Sequence, residues 1–502
     1  MILEWLLASA MASASVSGAP ADPPSRVTRP VQVAQTKTIE ELWSQLGSAL
    51  DAGDNATALA VTKLIAGHPD LVREPVERRE VVASLLGLLY AGEGQYALAL
   101  PHLIEASERR DAPADLWFAR IGAHAATDDL TAAARATVRL LERQPETAED
   151  LSGSFVLQLE SSPDLEPEAA YALRTALHEA GWRDRNDSGV WIRLIDDLLE
   201  RDRLADATPL VEQVTSSGGL LQLHAMRRYD AVRAAAAVPE LDIAAVLQAE
   251  LEDQRIKATA PGAPYEDRAA YASTLQNRGR LEEALAFTEA TLALPPPQAG
   301  SDDDLALTWV MDSRARLLMD LGRIDEAVVQ MQAAAKRDEG AGVNVSQTIN
   351  LGWFYLRVGD NAQAVATVKT LDPETASGYG LMQAMHVRAC AAEAMGDQTT
   401  AAPAFAHMAE NWRDAPLSWV EAQACRGDAD GAADTMLLIL ADETLVERGV
   451  AVLHTYLVEQ RATDYDRRIG DLLAVAYARP DVVAARDRVA RAFTVPTIGS
   501  QF

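Results

Sequence analysis

The stretch Leu351–Val365, LGWFYLRVGDNAQAV, has a near copy at Leu86–Leu100, LGLLYAGEGQYALAL. Both begin Leu-Gly, then place a tyrosine four residues on (Tyr355, Tyr90), a glycine eight on (Gly359, Gly94) and an alanine thirteen on (Ala364, Ala99). Self-similarity constrains a fold more than any other sequence feature, because a repeated pattern implies a repeated unit that buries its apolar side on its neighbours. Partial copies extend the series: WSQLGSALDAGDNATAL, IGAHAATDDLTAAARA, WIRLIDDLLERDRLADA, YASTLQNRGRLEEAL, ARLLMDLGRIDEAV and ACAAEAMGDQTTAA.

Two amphipathic helices joined by a tight turn account for these positions. Gly47, Gly87, Gly122 and Gly352 mark where the first helix offers no side chain and its partner can approach. Gly94, Gly279, Gly322, Gly359 and Gly396 are expected to end the first helix in a left-handed conformation that is cheap only for glycine. Ala99, Ala284, Ala327, Ala364 and Ala401 let the second helix lie close to the first. With Trp43, Leu46 and Gly47 in the order Trp-x-x-Leu-Gly, the pattern resembles the tetratricopeptide repeat family over most of residues 38–440. The resemblance implies an all-α solenoid of helical hairpins whose first helices line a groove for a protein segment. Spacing departs from the family's period of about 34, since Gly279, Gly322, Gly359 and Gly396 stand 43, 37 and 37 residues apart.

Gly218-Gly219 and the residues after them break the register. The chain is therefore expected to carry two arrays, 38–215 and 263–440, joined by an irregular helical spacer at 216–262, with a helical cap at 441–493. The tail 494–502 is either disordered or tucked against that cap. Residues 1–19 resemble a secretory signal peptide, with an apolar run from Ile2 to Leu7 and small Ala-x-Ala steps, although Glu4 interrupts the run and no cation precedes it. Residues 20–37 are Pro-rich and read as a tether. A periplasmic location follows from the signal, with a cytoplasmic one as the alternative. No later stretch approaches the roughly 18 uninterrupted apolar residues of a membrane helix.

With 502 residues, 48% apolar but only 5% aromatic, the chain reads as helical throughout. Its formal charge of −29 repels phosphate, which argues against nucleic acid as a partner. Cys390 and Cys425 fall inside apolar helical patterns and are expected as buried free thiols, a disulfide between neighbouring repeats being the alternative. No nucleophile elbow, phosphate loop, dinucleotide glycines or paired metal ligands occur, so neither catalytic residues, a metal nor a cofactor is expected. The run Asp302-Asp303-Asp304 lacks the spacing of a calcium loop and suits the positive end of a helix.

Turning about 100° per residue from each turn glycine brings Trp309, Arg316, Asn350, Trp353, Arg357 and His386 to the side of the first helices opposite their partners. Trp beside Arg and Asn is the composition of an interaction hot spot, so these six are the candidate partner groove. The resulting expectation is a non-enzymatic scaffold of the bacterial cell envelope that binds a protein or peptide, a setting compatible with a membrane-associated complex. The alternatives are a cytoplasmic adaptor and a carbohydrate-binding scaffold for polysaccharide export. The family's carboxylate-clamp type is represented by Asn350 alone, since Asp312, Arg316, Gln383 and Val387 occupy the flanking positions.

Overall fold

Each repeat turns on a residue with positive φ followed by a helix N-cap. In the computed structural model, which describes residues 37–160, 162, 164–183, 188–337, 344–457 and 463–498, the five expected turn glycines have φ between 70° and 84°. Asp360 and Asp397 follow two of them and accept backbone N–H bonds of the next helix, from Gln363 and from Thr399 and Thr400. Arg280 and Arg323 follow two others and instead pair with Glu283 and Glu326 in the first turn of the helix they open. Readings made for residues 1–36 and 499–502 lie outside the described residues.

The chain divides into two compact units at Arg203/Leu204. The first holds α1 (Ile39–Asp51), α2 (Asn55–Ala66), α3 (Val76–Gly92), α4 (Tyr96–Ser107), α5 (Ala114–Ala126), α6 (Leu130–Arg143), α7 (Gly153–Glu160), α8 (Pro167–Glu179) and α9 (Gly189–Glu200). α1–α2, α3–α4 and α5–α6 are hairpins, and successive hairpins pack along the series. Ala99 is wholly buried where α4 meets α3, and a Cβ on Gly87 would lie 2.7 Å from Leu103. Gly47 and Gly122 differ from expectation: nothing stands within 4 Å of a Cβ at either, so no close approach depends on them. Near the end of the unit the buried Glu160 accepts from Arg174 at 2.7 Å and Arg193 at 2.9 Å, the pairing that a carboxylate out of water requires.

The second unit begins with short helices α10 (Leu204–Ala207), α11 (Ser217–Ala225) and α12 (Asp230–Ala235) and the longer α13 (Ile243–Thr259). Residues 204–213, assigned from sequence to the first array, pack on α12 and so belong here. Five hairpins follow: α14 (Tyr265–Asn277) with α15 (Leu281–Leu292), α16 (Asp302–Asp320) with α17 (Ile324–Ala334), α18 (Val345–Arg357) with α19 (Asn361–Val368), α20 (Gly378–Met395) with α21 (Gln398–Glu410), and α22 (Pro416–Cys425) with α23 (Ala429–Ala441). Ala284, Ala327, Ala364 and Ala401 are all wholly buried at the hairpin contacts.

Cys390 and Cys425 are joined in a disulfide, not free, because α20 and α22 pack side by side and bring the two Cα atoms to 5.8 Å. Beyond α23 come α24 (Val446–Val452), β1 (Thr455–Leu457), α25 (Asp464–Tyr477), α26 (Pro480–Val489) and β2 (Thr494–Ile498). β1 and β2 form a two-stranded parallel ladder, Thr455 opposite Thr494 and Tyr456 opposite Val495, with an irregularity before Leu457 and Ile498. This ladder and an isolated antiparallel bridge between Met226 and Ala490 are the departures from all-α architecture among the described residues.

The docked tail returns to the start of its unit. Val495 is buried with Leu221, Ile243 and Leu247. Arg491 makes two hydrogen bonds, 2.8 and 2.6 Å, to the Asp230 carboxylate, which these bonds hold down to a pKa of about 2. Arg227 Nε donates to the Asp487 carbonyl at 2.7 Å. The second unit is thus an array whose two ends are strapped together.

Candidate functional site

The start of α16 shows why its face is presented as it is. Ser301 caps it by accepting from the Asp304 N–H at 3.2 Å. Asp303 accepts from the Tyr265 N–H at 2.8 Å, and Asp304 accepts from the Gly300 N–H at 3.0 Å and ion-pairs with Arg337. The acidic run is therefore spent on its helix end and on neighbouring elements. Leu305, Trp309, Asp312, Arg316 and Asp320 then recur at steps of three and four, one stripe of the helix.

Asp312 is buried and accepts from Arg316 Nε at 2.6 Å and from Asn350 Nδ2 at 3.0 Å, which ties α18 to α16. Lower on the same faces, Arg357 makes two bonds of 2.9 Å to the Asp466 carboxylate of α25 and lies 3.8 Å from Asp320. Burial pushes the Asp320 carboxyl above its ordinary range, against a 2.6 Å hydrogen bond from Gln276. Trp353 meets His386 edge to face, with centroids 4.4 Å apart. His386 is wholly buried, neither ring nitrogen has a hydrogen-bond partner among the described residues, and burial lowers its pKa from 6.5 to about 3. The Glu421 carboxylate stands 4.0 Å from its Nδ1.

α25 covers this lower region. Ile469 belongs to the core shared by α18–α22, and Tyr465, Leu472 and Leu473 pack on the same core, as do Trp353 and Trp419. Burial, then the nearby Glu421 charge, pushes the hydroxyls of Tyr465 and Tyr477 well above the usual tyrosine range.

The six residues chosen from the sequence meet different fates. Arg316 and Asn350 are engaged by Asp312. Trp353 and His386 meet edge to face, with His386 in the core, and Arg357 is held by Asp466. Trp309 is 46% exposed and stays open. Two open residues were missed, Leu305 at 38% and Tyr379 at 61%. Their signal was present, one turn before Trp309 and two turns before His386 on the same helix faces. No group of three or more His, Cys, Asp or Glu side chains among the described residues could hold a metal ion, and no described helix is long and apolar enough to cross a membrane.

No protein-family model matches the chain, and the curated proteins return no significant match. Among solved structures, the APC/C hetero-tetramer Cut9-Hcn1 matches at 13% identity over 90% of this chain and 96% of that one, with a TM-score of 0.28. The P58(IPK) TPR domain matches at 15% identity over 88% and 99%, TM-score 0.17. Naa15/Naa10 bound to HypK-THB matches at 15% over 90% and 80%, TM-score 0.23. At such scores the architecture of this chain is read from its own helices, and these define an array of tetratricopeptide-like hairpins.

Proposed function

We propose that the chain is a non-catalytic scaffold that holds a protein segment on the first-helix face of its second unit. The observation that carries this reading is that an amphipathic helix, α25, packs on the first helices α18 and α22 as well as on α23, while Leu305, Trp309 and Tyr379 on the first helices α16 and α20 stay open. Large rings in water are poorly placed for stability and well placed for a contact that desolvates them. A rigid array of packed hairpins orders a bound segment without itself being ordered.

The setting proposed is an oxidising compartment, the bacterial periplasm. The buried Cys390–Cys425 disulfide supports it, since such bonds persist where thiols are not kept reduced. The resemblance of residues 1–19 to a signal peptide supports it independently.

The paired variant Trp309→Ala/Tyr379→Ala tests the reading in quantitative affinity capture from the native host. A specific protein recovered with the wild-type chain is expected to fall at least about tenfold in the variant, as loss of two hot-spot side chains implies. Equal recovery would remove this face from the function. Stabilisation of the wild type by oligosaccharides with no protein bound would turn it to the sugar-stacking alternative.

A further inference from the structure

α25 is lightly held for an element that fills a functional face. Of its 14 residues only Ile469 and Ala476 are fully buried, Tyr465, Leu472, Leu473 and Tyr477 are half-buried, and Val475 is 64% exposed. By contrast, α20 of the same array buries nine of its 18 residues and is bonded covalently to α22. A cleft of about 500 Å³ remains between the start of α25 and the turn at Gly359, lined by Leu356, Arg357, Tyr465 and Arg468 among others. The specific anchor of α25 on α18 is the two-bond pair from Arg357 to Asp466. Elements with few buried apolar contacts open at a lower free energy than the core beneath them.

We infer that α25 is a resident occupant of the partner-binding face, which the partner segment displaces. The inference rests on the scaffold reading and supplies its partner chemistry. Opening α25 exposes the part of the core on which Tyr465, Ile469, Leu472 and Leu473 pack and takes Asp466 from Arg357, so the replacement must bring an apolar stripe and a carboxylate. In α25 these are Asp466 followed by Ile469, Leu472, Leu473 and Ala476. The partner segment is thus an amphipathic helix with an acidic residue three positions before its apolar stripe. Extra apolar contacts to Leu305, Trp309 and Tyr379, which α25 does not cover, give it the advantage over the resident helix.

Two measurements on the full chain test this. Hydrogen exchange of the wild-type protein is expected to show α25 amides exchanging at least about 100-fold faster than those of α20; equal protection would overturn the inference. The second uses a fluorescent synthetic peptide of residues 463–478 and the variant Ile469→Asp, which places a charge in the seat and unseats the resident helix. The peptide is expected to bind this variant at least about tenfold tighter than the wild type, because the competitor in cis is gone. Adding Arg357→Glu should abolish binding, and a peptide carrying Asp466→Lys should restore it. Absence of binding to an Ile469→Asp protein whose α20 protection is native would also overturn the inference. If Ile469→Asp disturbs α20, wild-type exchange decides. Peptide binding as described, with no captured protein dependent on Trp309 and Tyr379, would instead reject the scaffold reading alone.

Discussion

Gly352 shows what one absent carbon does. A Cβ there would lie 2.7 Å from Val368 and 3.2 Å from Val387, both β-branched and stiff, so α18 can sit against α19 and α20 only as glycine. Gly122, chosen for the same role, meets nothing within 4 Å, and only the neighbours could have told the two apart. His386 makes a different residue-scale demand. Its pKa is depressed from 6.5 to about 3, so the native state favours the neutral ring: stability is full above pH 6.5 and is lost as pH falls from there toward 3. At pH 4 the loss is on the order of 3 kcal/mol. Denaturant unfolding across pH 7 to 4 should show His386→Leu with the shallower decline. An unchanged slope would mean that the ring is hydrated. His454, whose pKa burial and then the nearby Arg486 charge lower to about 4, adds a residual slope in both proteins.

At the scale of elements, the hairpin was legible because its signals are local. Turn glycines, buried alanines and helix periodicity lie within one repeat, and where glycine is missing Asp128 and Asp202 take the positive φ, which aspartate tolerates better than most residues. The return of α25 and β2 was not legible. Arg357 and Asp466 are 109 residues apart and Asp230 and Arg491 are 261 apart, and no period links such pairs. That return is why Trp309 is open while Arg357, selected by the same rule, is already engaged. The disulfide escaped for a related reason: helical period places each cysteine on a buried face but does not say that the two faces meet. It closes a loop across 35 residues, so removing it should lower the unfolding free energy by about 3–4 kcal/mol. Denaturant titration of Cys390→Ala/Cys425→Ala, and of wild type under a dithiol reductant, should give the same shift. No shift in either would mean that the thiols are free in solution.

As a whole molecule, the chain carries a formal charge of −29, and its second unit presents one aromatic, partly self-covered face. The irregular helices at 217–235 acquire a purpose at this scale, since they receive the strap formed by α26 and β2. The central claim is that a partner helix lies on the first-helix face. Site-specific photo-crosslinking in the native host tests it most directly, with the reactive group placed at Trp309 and, as a control, at Val329, which is 65% exposed on a second helix. The account predicts a discrete protein adduct at position 309, mapping to an amphipathic acidic helix, and none at 329; equal adducts at both positions, or none at 309, would contradict it.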